Sequence, residues 1–289
     1  AGNGDFIVVG NFNSISLSIG GANLFNSGET DAFVVKYNQD KTLAWVKKIG
    51  TADIEEVSAV AMDADGNTYV SGQVTDKFSL KTLYVFLRKY DETGNLIWET
   101  IGTIQGGILQ VTALTLDEQQ NIYLGGLLSG TVAFDGISFS SDWDYSAFIV
   151  KYNASGTLPD NTVLHGLDKF NGLQAHENYI YACAEKVNWG LGWGWPLADS
   201  KIHVLKFDTE LNTLWENLAG GDSTSQSLDI AKSISVDNLG NAYVTGYFFS
   251  DTLDFAGQAL PNFFNVHYYY PQIFVFKYAP SGEELWGKS

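Results

Sequence analysis

Asp53-Ile54-Glu55-Glu56 gathers three carboxylates in four residues, the raw material for glycoside hydrolysis, which needs two acids facing one bond. Neighbours on an extended chain project to opposite faces, so Glu55 and Glu56 are expected to point apart. No catalytic residue is assigned, and the chain is expected not to be an enzyme. Asp63-Ala64-Asp65-Gly66-Asn67 has the opening of a calcium loop, but apolar strand residues follow at once and the ligand set never completes. Its counterparts, Asp117-Glu118-Gln119-Gln120-Asn121 and Asp237-Asn238-Leu239-Gly240-Asn241, lose the second carboxylate. A turn is the leading reading, with a bound cation as the alternative. His165, His176, His203 and His267 lack metal-ligand spacing. The sequence has no phosphate loop, nucleophile elbow or Cys–His pair, so neither a metal nor a cofactor is expected. Cys183 lies in the apolar run Tyr181-Ala182-Cys183-Ala184 and reads as inert core.

Flat aromatic side chains are the better candidates for binding. They cluster in Ser141-Asp142-Trp143-Asp144-Tyr145, in Asn188-Trp189-Gly190-Leu191-Gly192-Trp193-Gly194-Trp195-Pro196, and in Phe263-Phe264-Asn265-Val266-His267-Tyr268-Tyr269-Tyr270-Pro271. Such groups stack on sugar rings, and they equally anchor protein interfaces. The candidate ligand-binding residues are Trp143, Tyr145, Trp189, Trp193, Trp195, His267, Tyr268, Tyr269 and Tyr270. The competing reading is that these segments fold back on the core or pack on a neighbouring domain of the same chain.

The elements that position these segments repeat. Lys followed by an aromatic recurs at Lys36-Tyr37, Lys89-Tyr90, Lys151-Tyr152, Lys206-Phe207 and Lys277-Tyr278, at spacings of 53, 62, 55 and 71 residues. A Trp follows nine residues after the Lys in four copies (Trp45, Trp98, Trp215, Trp286), whereas the third has Asp160 there. Between these blocks lie pairs of apolar runs such as Val57 to Asp63 and Thr68 to Gly72, joined by Gly- and Asn-containing turns. Each repeat thus holds four strands: a (Ser58–Asp63 type), b (Tyr69–Gly72), c (Phe33–Tyr37) and d (Leu43–Ile49). The repeated Lys and Trp read as packing residues, with Asp63, Asp117 and Asp237 as candidate partners of the Lys. The pieces Thr131–Phe134 and Thr252–Phe255 read as extra strands within the insertions.

Four antiparallel strands repeated radially manage exposed sheet edges. The expected fold is all-β: a five-bladed β-propeller of four-stranded blades, residues 1–289 forming one domain. The b–c and d–a connections are expected at one end, where rigid scaffolds usually carry binding loops. The count is five b, five c and five d strands but four a strands. One inner strand is apparently missing, and 289 residues are expected to be a fragment, with that strand before Ala1 or after Ser289.

Asp31-Ala32-Phe33-Val34-Val35-Lys36-Tyr37, the Trp nine residues after the Lys, Met62 through Gly72, and Ser233 through Gly246 together resemble the bacterial SBBP-type β-propeller repeat. The resemblance implies an extracellular or cell-surface setting and a longer parent chain, and it carries no catalytic residues. Composition agrees with a packed β-fold: 45% hydrophobic, 14% aromatic, 17% charged. The net charge of −17 disfavours nucleic acid and anionic membranes as partners. No apolar run is long enough to span a bilayer as a helix, so direct membrane insertion is not expected. The functional expectation is a binding or scaffold module contacting a glycan or a protein. The alternatives are a purely structural propeller in a larger complex and a carboxylate-dependent glycoside hydrolase.

Overall fold

The computed structural model describes residues 4–157, 160–164, 166–190, 197–221, 228–263 and 270–289. Among these every regular element is a strand, and the chain divides into two compact units, residues 1–144 with 151–159, and residues 145–150 with 160–289.

In the first unit, β1 (Phe6–Phe12) is followed by a small hairpin, β2 (Ser16–Ile19) and β3 (Ala22–Phe25), then by β4 (Asp31–Tyr37) and β5 (Leu43–Ile49). β1, β4 and β5 form a three-stranded sheet in that order, the b, c and d strands of the first repeat. β6 (Ile54–Met62), β7 (Thr68–Thr75), β8 (Thr82–Tyr90), β9 (Leu96–Leu116) and β10 (Ile122–Phe134) pair in chain order. β9 runs through two repeats: Leu96–Thr103 pairs with β8 as a d strand, and Ile108–Leu116 pairs with β10 as the next a strand. β11 (Ile137–Tyr152) contributes to both units and is followed by β12 (Asp160–Leu164).

The second unit repeats the pattern more regularly. β13 (Lys169–His176), β14 (Tyr179–Gly190), β15 (Leu197–Asp208) and β16 (Thr213–Ala219) form one four-stranded antiparallel sheet. The last sheet is β17 (Ile230–Val236), β18 (Ala242–Phe248), β21 (Gln272–Tyr278) and β22 (Glu284–Lys288). Between its b and c strands, β19 (Thr252–Phe255) and β20 (Gln258–Pro261) make a separate hairpin. Thr131–Phe134, the end of β10, and Thr252–Phe255 are therefore strand, as expected.

The recurring Lys and Trp are explained by register. A nine-residue interval puts each Trp directly across the c–d hairpin from its Lys: Lys36 opposite Trp45, Lys89 opposite Trp98, Lys206 opposite Trp215, Lys277 opposite Trp286. In all four cases the step from Lys to the following aromatic is a β-bulge. The extra residue lets the chain turn more strongly there. The Trp rings then reach the c–d turn of the following sheet. Trp45 Nε1 donates to the Glu92 carbonyl at 3.0 Å, and Trp215 Nε1 to the Pro280 carbonyl at 3.1 Å. Three of the four rings lie over a turn glycine with positive φ: Trp45 over Gly94, Trp98 over Gly156, Trp215 over Gly282.

The lysines differ from the expectation of carboxylate partners. Lys277 does approach its repeat's Asp, with Nζ 4.0 Å from Asp237. Lys89 lies over Tyr69, Lys151 over Tyr123, Lys206 over Tyr179 and Tyr181, and Lys277 over Tyr243, at 3.8 to 5.7 Å from the ring centroids. The aspartates are occupied elsewhere, and an aromatic face accepts a partly desolvated ammonium. Lys36 is the exception. It pairs with Asp5 at 3.4 Å and donates to the Gly66 carbonyl.

Candidate functional site

The acidic clusters do structural work. In the Asp63 turn, the backbone N–H and side-chain amide of Asn67 both donate to the Asp63 carboxylate, and so does the Tyr69 hydroxyl. Asp117 with Asn121 and Tyr123, and Asp237 with Asn241 and Tyr243, repeat the arrangement. Asp65 accepts from the Gln120 side chain. These carboxylates act as acceptors that close the a–b turn. Asp91 and Asp208 close c–d turns in the same way. Hydrogen bonds from Asn95 and Asn241 hold the Asp91 and Asp237 carboxyls down at about 2.

Glu55 and Glu56 part as expected. Glu55 is fully buried and accepts from the Thr51 N–H and hydroxyl, whereas Glu56 accepts from the Gln73 amide. Register with the b strands places Asp168 and Asp229 at the position of Glu55 in their own repeats. Asp229, also fully buried, accepts from the N–H groups of Gly221, Phe249 and Ser250 and from the Ser250 hydroxyl. Asp168 accepts from the Val187 N–H. A buried carboxylate thus pins the d–a segment to its neighbours, and Asp168 and Asp229 show that this segment shares an end with the b–c connection. The sequence reading missed this recurring acid because Leu109 replaces it in the third repeat. No cluster of three or more His, Cys, Asp or Glu side chains suited to a metal occurs among the described residues.

The remaining titratable groups with large shifts are also structural. Burial pushes the Cys183 thiol up to about 12. It likewise raises the Tyr181 hydroxyl to about 12, which donates to the Gly240 carbonyl.

The b–c connections carry a cleft in the first unit and exposed apolar side chains in each unit. In the first unit a cleft of about 470 Å³ is lined by Gly106 and Gly107 from the d–a side and by Ser129, Gly130, Thr131, Ser140 and Ser141 from the b–c side. Its walls offer hydroxyls and bare backbone but no titratable group. Large apolar side chains stand exposed on the b–c connections of each unit: Ile15, Phe25, Phe78 and Leu80 in the first, Phe263 in the second. Tyr145 and Tyr270 are 45% and 60% exposed.

The predicted site residues are placed unevenly. Trp143 and Tyr145 sit within β11, and Trp189 sits in β14 opposite Ala198. Reading these segments as loops is corrected: alternating aromatic and polar residues let the b and c strands simply extend, which satisfies the backbone without a loop. The side chains of Trp143 and Trp189 lie outside the described residues, as do Trp193, Trp195, His267, Tyr268 and Tyr269 altogether. Phe25 and Phe78 were missed, although their positions between b and c runs were readable.

Residues 218–247 match the family model for the SBBP β-propeller repeat. A curated relative, an uncharacterized WD repeat-containing protein of Acanthamoeba polyphaga mimivirus, is 25% identical over 169 residues, which is 49% of this chain and 12% of that protein. Among solved structures, an apocarotenoid oxygenase of Synechocystis is similar at 9% identity and a TM-score of 0.46, over 96% of this chain and 55% of its own. A GH43 endo-arabinanase from Bacillus licheniformis is similar at 11% identity and a TM-score of 0.37, over 99% and 94%. Both of those proteins are enzymes, so the expectation that this chain is not an enzyme is withdrawn. The chain is an all-β protein of antiparallel sheets that carries a β-propeller repeat, a fold suggestive of a binding or scaffold role.

Proposed function

We propose that the chain is a five-bladed propeller module that binds a partner through the apolar and aromatic side chains of its b–c connections. The supporting observation is the exposure of Tyr145, Tyr270, Phe25, Phe78 and Phe263 on those connections. Had the insertions served only to cap the core, these side chains would be covered. Exposed aliphatics on the same connections, Ile15 and Leu80, favour a protein surface as partner, because sugars gain little from them. A glycan is the second reading, supported by the neutral cleft of Ser129, Thr131, Ser140 and Ser141.

A glycan array and a peptide-display panel, probed with the native chain, separate the two readings. Any ligand found should bind at least about tenfold more weakly to the Tyr145→Ser/Tyr270→Ser double variant, the loss expected when an aromatic anchor is removed. A ligand retained equally by that variant would refute the assignment of the surface. The repeated placement of a Trp on the next sheet's c–d turn supports five blades around one axis, and particle images showing an open arc would refute it. The resemblance to repeats of secreted proteins supports an extracytoplasmic setting. Recovery of the native protein only from the cytosolic fraction would contradict that.

A further inference from the structure

The connection between β7 and β8 ends in a tight apex whose side chains differ from the rest of the chain. The two strands pair as far as Thr75 opposite Thr82, and Asp76 organises the turn beyond them. Its N–H donates to the Lys81 carbonyl, its carbonyl accepts from the Leu80 N–H, and its carboxylate accepts from the N–H groups of Phe78 and Ser79. The apex thereby presents Phe78 at 86% exposure and Leu80 at 71%, among Lys77 and Lys81. The Lys77 ammonium lies 5.2 Å from the centre of the Phe78 ring. The chain has 33 acidic and 16 basic residues, yet no acid occurs from Lys77 to Tyr90.

Leu80 carries the argument furthest. Its φ is +55°, in the left-handed region where a side chain bearing a Cβ is strained. Leu211 also has positive φ, but it is 5% exposed, so burial offsets the backbone cost. Leu80 gains little burial within the fold, and an uncompensated strain of this kind points to a role outside it. The connection between β1 and β4 adds to the same end of the unit. Residues 13–28 include no charged side chain, and Ile15 and Phe25 stand exposed there. Asp53 ties the two connections together: its carbonyl accepts from the Glu29 N–H at 3.3 Å and its carboxylate from the Lys77 N–H at 3.4 Å.

We propose that this end of the first unit docks on the surface of a zwitterionic lipid bilayer. Phe78 and Leu80 enter below the headgroups, Lys77 and Lys81 meet the lipid phosphates, and Ile15 and Phe25 supply a second apolar contact. A protein partner would have to offer a matching pocket to each projecting connection, whereas a bilayer interface admits both without one. Apolar tips flanked by lysines suit that interface, because the long stems let the ammonium groups stay at headgroup level. A phosphatidylcholine surface has no net charge, so the −17 chain is not driven from it as it is from an anionic one. The chain would lie on the bilayer without spanning it. The inference rests on the same exposure as the surface assigned above, but it gives lipid to this end and leaves Tyr145 and Tyr270 to that reading.

The test is co-sedimentation of the whole chain with phosphatidylcholine vesicles at millimolar lipid. The native chain should sediment with them, and the Phe78→Ser/Leu80→Gly variant should partition at least about tenfold more weakly, as expected when two apolar side chains are lost. Leu80→Gly alone should weaken partitioning several-fold while its denaturant midpoint does not fall, since glycine accepts the left-handed backbone. That outcome separates lost contact from lost folding. The Tyr145→Ser/Tyr270→Ser variant should sediment as the native chain does, so failure of the partner-binding surface leaves this result untouched. Absence of co-sedimentation would overturn the proposal, as would equal partitioning of native chain and Phe78→Ser/Leu80→Gly variant. A protein ligand lost by that variant, in a chain that ignores vesicles, would assign the apex to a protein instead.

Discussion

Asp91 and Asp237 show how one residue type, repeated, stabilises a turn. Each receives a backbone N–H and a side-chain amide from an Asn four positions on, and these bonds favour the ionised form. Their carboxyls sit at about 2 in the folded chain, below the ordinary 3.8. A carboxyl depressed by folding contributes stability that is complete above its ordinary value and is lost as pH falls through the folded value. Denaturant midpoints should therefore decline as pH drops from about 4 to 2. The Asp91→Asn/Asp237→Asn double variant should show a shallower decline, and an unchanged slope would mean these turns do not report on folding. Lys206 is lowered too, but by burial, which favours its neutral form, as it lies over the Tyr179 and Tyr181 rings. The aspartates were legible as turn residues from their spacing to Asn. The Lys–Tyr stacking was not, because the ring comes from the neighbouring b strand.

At the scale of elements, the contact that recurs is a d-strand Trp on a c–d turn glycine of the next sheet. Gly94 has φ +85° and a Cβ built there would lie 2.8 Å from Trp45, whereas Gly136 has a similar φ of +81° and open space around it. Alanine at Gly136 should cost about 1–2 kcal/mol through left-handed backbone strain alone. Alanine at Gly94 should cost at least about 1 kcal/mol more, because the ring must shift as well. Equilibrium denaturation of both variants measures the difference, and equal losses would show that the Trp contact contributes nothing. The b–c insertions follow a related logic. β2–β3 and β19–β20 close their own backbone hydrogen bonds as hairpins, and the first of them carries the exposed ring of Phe25.

For the whole molecule the dominant long-range term is charge. With 33 acidic and 16 basic residues, the net charge of −17 repels itself in the compact state. Raising salt from about 10 mM to about 150 mM shortens the screening length from roughly 30 Å to about 8 Å. The thermal midpoint should rise by a few degrees across that range, followed by scanning calorimetry. A fall would mean that attractive pairs such as Lys48–Asp31 and Arg88–Glu99 outweigh the repulsion.

Strand content, the strand repeat and the a–b turns all followed from the residues alone, since alternation and turn chemistry act within a few positions of the chain. Burial of Glu55 and Asp229, the partners of the lysines, the extension of Trp143 and Trp189 into strands, and the exposed apex at Phe78 and Leu80 were decided by tertiary structure. Each depends on which segment, remote in sequence, lies alongside. Local patterning shows that a side chain has a partner to find, but it does not identify the partner.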